Sequence, residues 1–177
     1  MLNRETVYLG GGCFWCIEAI FQQVKGVDEV VSGYMGGKKE DANYNDVCSG
    51  KTGHAEVVKI VFNNNTISFS KILEIFFQIH DPTSLNRQGN DIGPQYRSVI
   101  FYSSTDQLKM AEEFLLKIKD KFKNKIVTEI CILTEFFKAE NYHINYYNMN
   151  KKQPYCSLII SPKVMTFKEK FKNYLKD

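Results

Sequence analysis

The chain has 177 residues, enough for one domain with a sizeable core and short for two, so a single domain spanning residues 1–177 is expected. Apolar residues make up 44% and charged residues 24%, which argues against bulk disorder, and a net charge of +3 is too weak and dispersed to suggest nucleic-acid binding. No basic region followed by an apolar one opens the chain and no run approaches a membrane span, so a cytoplasmic protein with no membrane partner is expected. Its 5 cysteines are unevenly spaced, which fits reduced, reactive thiols better than a disulfide scaffold.

In chain order, Glu5 to Leu9 reads as a strand, and Phe14, Ile17, Ile20, Phe21 and Val24 recur at helix spacing from Cys13 until Gly26. Val27 to Tyr34 is a second strand that stops at Gly36 and Gly37. Residues 43–53 (NYNDVCSGKTG) read as an ordered surface loop, and Ala55 to Phe62 as a strand buried on both faces. Ser68 or Ser70 caps a helix that ends at Asp81 and Pro82, with His80 as a capping or structural histidine. Thr83 to Gln95 has almost no apolar residues and reads as a long functional loop. Val99 to Tyr102 is a strand, Ser103 or Ser104 opens the next helix, and Val127 to Leu133 is a strand whose apolar neighbours mark Cys131 as structural. The late AENYHINYYNMN segment sets His143 and Tyr146 at helical i, i+3 spacing, QPYC places Cys156 after a proline turn, and Val164 to Leu175 reads as a basic amphipathic helix. The loose alternation of strands and helices, with several close strand pairs, predicts an α+β fold with a mixed or antiparallel sheet.

The chemistry concentrates in GGGCFWC, residues 10–16. The glycines allow a tight turn and close approach of a ligand, and they deliver Cys13 to a helix N-terminus, where the macrodipole and free N–H groups favour a thiolate. Cys16 falls one turn on, within reach of the first sulfur. Glu56, at the start of an apolar strand just after TGH, is a carboxyl whose burial would raise its pKa and make it a proton donor. A zinc site is disfavoured, because no second CxxC or HxxxH pair is present.

GGGCFWC, NYNDVCSGKTGHAE, HDPTSLNRQGNDIGPQYRS and AENYHINYY, in that order, closely resemble the A-type peptide methionine sulfoxide reductases, from about Thr6 to Pro162. The fold expected is then a single-domain two-layer α+β sandwich, with a mixed, mainly antiparallel sheet on a ferredoxin-like core and long ordered loops. The resemblance implies reduction of the S epimer of free and peptide-bound methionine sulfoxide, as repair of oxidative damage. It implies Cys13 as the nucleophile that becomes a sulfenic acid, Glu56 as proton donor, and Tyr44 and Tyr96 as hydrogen-bond donors to the sulfoxide oxygen. Phe14 and Trp15 would wall the substrate methyl group, while Asp91, His143 and Tyr146 would orient and bind it. A second thiol must then form a disulfide with Cys13: Cys16, which stands where the best-known pattern has Gly, or else Cys156. Cys48 reads as structural. The implied enzyme works as a monomer with no bound cofactor and no metal, recycled by thioredoxin, or by dithiothreitol in vitro. The alternative is a thioredoxin-like disulfide exchange protein, which would also use CxxC after a strand.

Overall fold

In the structure, a computed structural model that describes residues 3–177, the chain is built around the strand β1 (Arg4–Gly10). It is followed by α1 (Phe14–Phe21), β2 (Val27–Met35), α2 (Tyr44–Cys48), β3 (Ala55–Asn63), α3 (Phe69–Ile79), β4 (Arg87–Gln88) and β5 (Asp91–Ile92). Then come β6 (Val99–Tyr102), α4 (Thr105–Ile118), β7 (Glu129–Ile132), β8 (Phe137–Lys138), α5 (Tyr146–Met149) and α6 (Ser161–Lys170). The main sheet has six strands in the order β7-β6-β1-β3-β2-β8, and β4 and β5 form a separate hairpin. Within the main sheet β6-β1-β3-β2 is wholly antiparallel, the βαββαβ ferredoxin-like pattern, and only the β6–β7 pair is parallel. The sheet is therefore mixed and mainly antiparallel, as the alternation of elements predicts.

Period-2 alternation sorts the strands between two clusters. Val7, Leu9, Val58, Ile60 and Phe62 join the main core with Ile17, Ile20 and Phe21 of α1 and Ile72 and Phe76 of α3. Ala55, Val57, Val99 and Phe101 pack with Met35 in a smaller cluster, so β3 is buried on both faces. Capping sets the helix starts. Ser68 accepts from the Lys71 N–H and Ser104 from the Gln107 N–H, each cap contributing about 1 kcal/mol.

The sequence reading misses several short elements. Residues 43–53 are not all loop, because Asn43 accepts from the Asp46 N–H and caps α2. The 83–95 stretch folds back as the β4–β5 hairpin. The helix from Cys13 stops at Phe21 rather than running to Gly26, and the last predicted helix starts earlier, with a π turn over Cys156–Ile160 leading into α6. Among the described residues no helix is long and apolar enough to cross a membrane.

Antiparallel pairing of β1 with β3 brings the end of one strand beside the start of the other. The glycine turn and Glu56 therefore meet at one end of the sheet.

Candidate active site

The glycine turn is shaped by the protein's own packing rather than by room for a ligand. A Cβ on Gly10 would stand 2.8 Å from the Glu56 carbonyl oxygen, and Gly12, at φ +95°, would put one 2.9 Å from Gln88. The Gly12 N–H donates to the Tyr96 carbonyl at 3.1 Å, which fixes the turn to the loop behind it.

Cys13 is the N-cap of α1, extended at φ −60° and ψ 127°, and only 9% exposed. The Cys16 N–H donates to the Cys13 carbonyl at 3.1 Å, so the two free thiols sit one turn apart. Burial pushes the Cys13 thiol well above its ordinary value; the hydrogen bond to Cys16 and the charge of Glu56 act the same way, against the Trp15 backbone amide. Cys16 is pulled down, first by the hydrogen bond from Cys13 and then by Lys163 and Tyr155, against its own burial. Burial thus works against the Cys13 thiolate that the helix terminus favours.

Glu56 pairs with Tyr34 in the β2–β3 register and is 1% exposed. Its Oε2 accepts from the Phe14 N–H at 3.0 Å, which ties the carboxyl to the first turn of α1. Burial pushes its pKa up to about 8, with the charges of Asp91 and Cys16 adding, although the Phe14 amide opposes them. At neutral pH most of it is therefore a neutral acid, able to give a proton.

Tyr44 opens α2 and Tyr96 closes a short turn over Pro94–Tyr96. Burial raises both phenols, with Cys48 next in influence on Tyr44 and Glu56 next on Tyr96, so both remain O–H donors. Each is also raised by the charges of Glu56 and Cys13. Asp91 accepts from the Tyr155 hydroxyl at 2.6 Å.

Trp15 stacks on Tyr146 with ring centroids 3.7 Å apart and planes 8° from parallel, while Tyr155 meets it edge-on at 5.9 Å. The Trp15 Nε1–H donates to His143 Nδ1 at 3.1 Å. The His143 proton therefore sits on Nε2, and burial holds the imidazole below its ordinary pKa. Phe14 is fully buried, 5.2 Å from the His143 ring and 5.7 Å from Tyr34, so it backs the aromatic cluster. His143 and Tyr146 do not share a helix. His143 ends a 3₁₀ turn, Asn145 at φ 55° breaks the chain direction, and Tyr146 starts α5, yet both side chains reach Trp15.

Cys156 is fully buried in the π turn and feels the charge of Cys16, whereas Cys48 is exposed and does not pack as a structural cysteine. The sequence reading passes over Glu140, Tyr155, Tyr34 and Glu18; Glu140 falls inside the AENYHINYY motif and Tyr155 in the QPYC segment, while Tyr34 and Glu18 lie outside every motif. A groove of about 880 Å³ runs past His80, Gln88, Lys117 and Lys163, and none of the residues predicted for the site lines it. His80 bonds Phe76 O at 2.6 Å and Ser98 Oγ at 2.7 Å, a structural role. Among the described residues no three His, Cys, Asp or Glu side chains gather as a metal-binding group.

The family model described as "Peptide methionine sulfoxide reductase" matches residues 5–175. A peptide methionine sulfoxide reductase of Saccharolobus solfataricus is 51% identical over 172 residues, covering 97% of each chain. The crystal structure of Mxr1 from Saccharomyces cerevisiae in reduced form superposes with a TM-score of 0.81 at 32% identity, over 87% of this chain and 90% of that one. Mxr1 in complex with Trx2 superposes at 0.57 and 24% identity, over 81% and 85%. The motifs, the fold and these matches agree, and the chain belongs to the A-type peptide methionine sulfoxide reductase family.

Proposed function

We propose that the chain reduces the S epimer of methionine sulfoxide, free or within a peptide, by the chemistry that the Cys13, Cys16 and Glu56 cluster supports. The observation that carries this reading is the placement of a neutral buried acid and a buried thiol at the same helix start, bridged by the Phe14 amide. Cys16, as a thiolate, takes the Cys13 proton, and Cys13 attacks the sulfoxide sulfur. Glu56 delivers a proton to the sulfoxide oxygen, with Tyr44 and Tyr96 donating hydrogen bonds to it as charge builds there. Trp15, backed by Phe14, meets the substrate methyl group, and Asp91, His143 and Tyr146 orient the rest. The protonated oxygen then passes from the substrate sulfur to the Cys13 sulfur: the substrate S–O bond and the transient Cys13–substrate S–S bond break as a new S–O bond forms on Cys13, leaving a sulfenic acid there, methionine leaves, and Glu56 is left ionised.

Cys16 then attacks the sulfenic sulfur, a disulfide forms and water departs. Cys16 is favoured over Cys156 because it lies one helical turn from Cys13, its N–H bonded to the Cys13 carbonyl, while Cys156 is held in a π turn. A dithiol of the thioredoxin class supplies two electrons and two protons to restore both thiols. The yeast relative's complex with Trx2 supports that donor, as 5 free cysteines support a reducing, cytoplasmic setting. All of these groups come from one chain, which fits a monomer.

The deciding experiment measures methionine released from each separate epimer of a blocked methionine sulfoxide, with dithiothreitol and with thioredoxin. Wild type should turn over the S epimer alone, and Cys13→Ser should lose even a single turnover. Cys16→Ser should keep one turnover and lose recycling by thioredoxin; if Cys156→Ser does so instead, the resolving role moves to Cys156. Disulfide exchange without sulfoxide reduction would sink the reading.

A further inference from the structure

Glu140 gathers three groups of the site, with the exposed Tyr142 beside them, around one carboxylate. Its Oε1 accepts from the Tyr34 hydroxyl at 3.1 Å. Its Oε2 accepts from the Tyr44 backbone N–H at 3.2 Å and the Tyr142 hydroxyl at 3.3 Å, and stands 3.8 Å from His143 Nε2. His143 Nε2 is buried with no hydrogen-bond partner, and Glu140 is the charge that faces it. Across the imidazole, Nδ1 holds the Trp15 indole at 3.1 Å. The His143 ring is itself packed 4.4 Å from Tyr44 and 5.2 Å from Phe14. One carboxylate thus touches the start of α2 directly and reaches Trp15 through a single ring.

We propose that Glu140 is a positioning residue that fixes the spacing between the Tyr44 side and the Trp15 side of the site, and thereby the fit of a methyl sulfoxide between them. The proposal rests on the reading above, in which Tyr44 faces the sulfoxide oxygen and Trp15 the methyl group. The physical reason is donor geometry. Three donors already converge on the two oxygens of Glu140, with the His143 N–H as a fourth nearby, and a carboxylate can accept from all of them. An amide of the same shape can still accept from the Tyr44 N–H and turn its NH2 to the Tyr34 hydroxyl, but it removes the charge that faces the unpartnered His143 N–H, so Glu140→Gln loosens the His143 side. His143 is then free to shift, and Trp15 follows it.

The test compares S-methyl with S-ethyl sulfoxide substrates. A close-fitting pocket distinguishes one methylene by roughly 10- to 200-fold, and wild type should show a preference of that order. Glu140→Gln should lower kcat/KM on the methyl substrate by about tenfold, short of the hundredfold that a 1 Å misplacement can cost, and should narrow the methyl preference. General weakening of the fold would lower both substrates together and leave that preference intact. The chain has 1 Trp, so its emission reports Trp15 alone and should shift in the same variant. Tyr142→Phe, which removes the outermost of the hydrogen bonds from an exposed ring, should change neither readout. Should Glu140→Gln fail to fold, Glu140→Asp, which withdraws the carboxylate by one methylene, should show the same two changes in smaller degree. A folded variant with wild-type discrimination and unchanged emission overturns the proposal. Absence of any methyl preference in wild type would overturn the methyl-wall reading and this proposal together, and that failure shows in the unmutated enzyme.

Discussion

Glu18 and Glu56 are both 1% exposed, and burial raises the pKa of each, to about 7 and about 8 respectively. Their surroundings differ. Glu18 lies in α1 beside Ser32 and the backbone amides of Asn145 and Tyr146, which favour its charge, while its Oε1 has no partner. Glu56 has one amide, from Phe14, and otherwise faces negative or ionisable groups, Asp91 and Cys16. A raised carboxyl pKa is thus not by itself the mark of a catalytic acid. What separates the two is direction: Glu56 is turned toward the thiols and Glu18 toward the backbone of the 145–149 segment.

The largest effect that would break this contrast is on turnover. Glu56→Gln should lower kcat/KM on the S epimer by roughly 10²–10⁴-fold, the usual contribution of a positioned acid, whereas Glu18→Gln should cost far less. The deficit of Glu56→Gln should be greatest below pH 8 and close above it, because the wild-type acid loses its proton as pH rises through about 8. Equal losses in the two variants would erase the distinction.

The shape of the pH profile is the next test. Wild-type kcat/KM on the S epimer should fall as pH rises through about 8, and Glu18→Gln should keep that limb in place. A limb that moves with Glu18 would assign the titration to the wrong carboxyl.

The smallest effect is on stability. The folded chain holds the Glu18 proton more tightly than the unfolded chain does, so its contribution is fully present below the ordinary carboxyl value of 4.5 and lost as pH rises through about 7. The loss is about 3 kcal/mol for this group at full burial. Urea denaturation between pH 4.5 and 8 should show a decline that Glu18→Gln makes shallower. Unchanged slopes would mean that the unfolded chain binds that proton equally well.

The sequence foretells those parts of the fold in which each residue's neighbours are local or periodic. β1 and β3 announce themselves by apolar runs and alternation, each of two helix starts by a pair of serines before an apolar face, of which the structure uses Ser68 and Ser104, and Cys13 by its glycines. Elements set by distant partners stay hidden. α2 is five residues long, and its first amide is held by Glu140, 96 positions away. β8 has two residues and exists through pairing with β2. The i, i+3 spacing of His143 and Tyr146 points to a helix that Asn145 interrupts, yet the two side chains converge on Trp15 by a route the spacing does not describe. Burial opposes the Cys13 thiolate for a related reason. Helix position can be read from a motif, but dryness depends on everything packed around it.

The Phe14 amide that grips Glu56 joins residues 42 positions apart and also dictates where the chain can change length. A residue inserted between Gly10 and Phe14 would slide the nucleophile past its acid, since β1 and β3 are locked in register on either side. An extra residue among Lys123 to Lys125, in the exposed turn after α4, alters no such pairing. The gene can lengthen at that turn, while the four steps from strand to helix must stay at their present count.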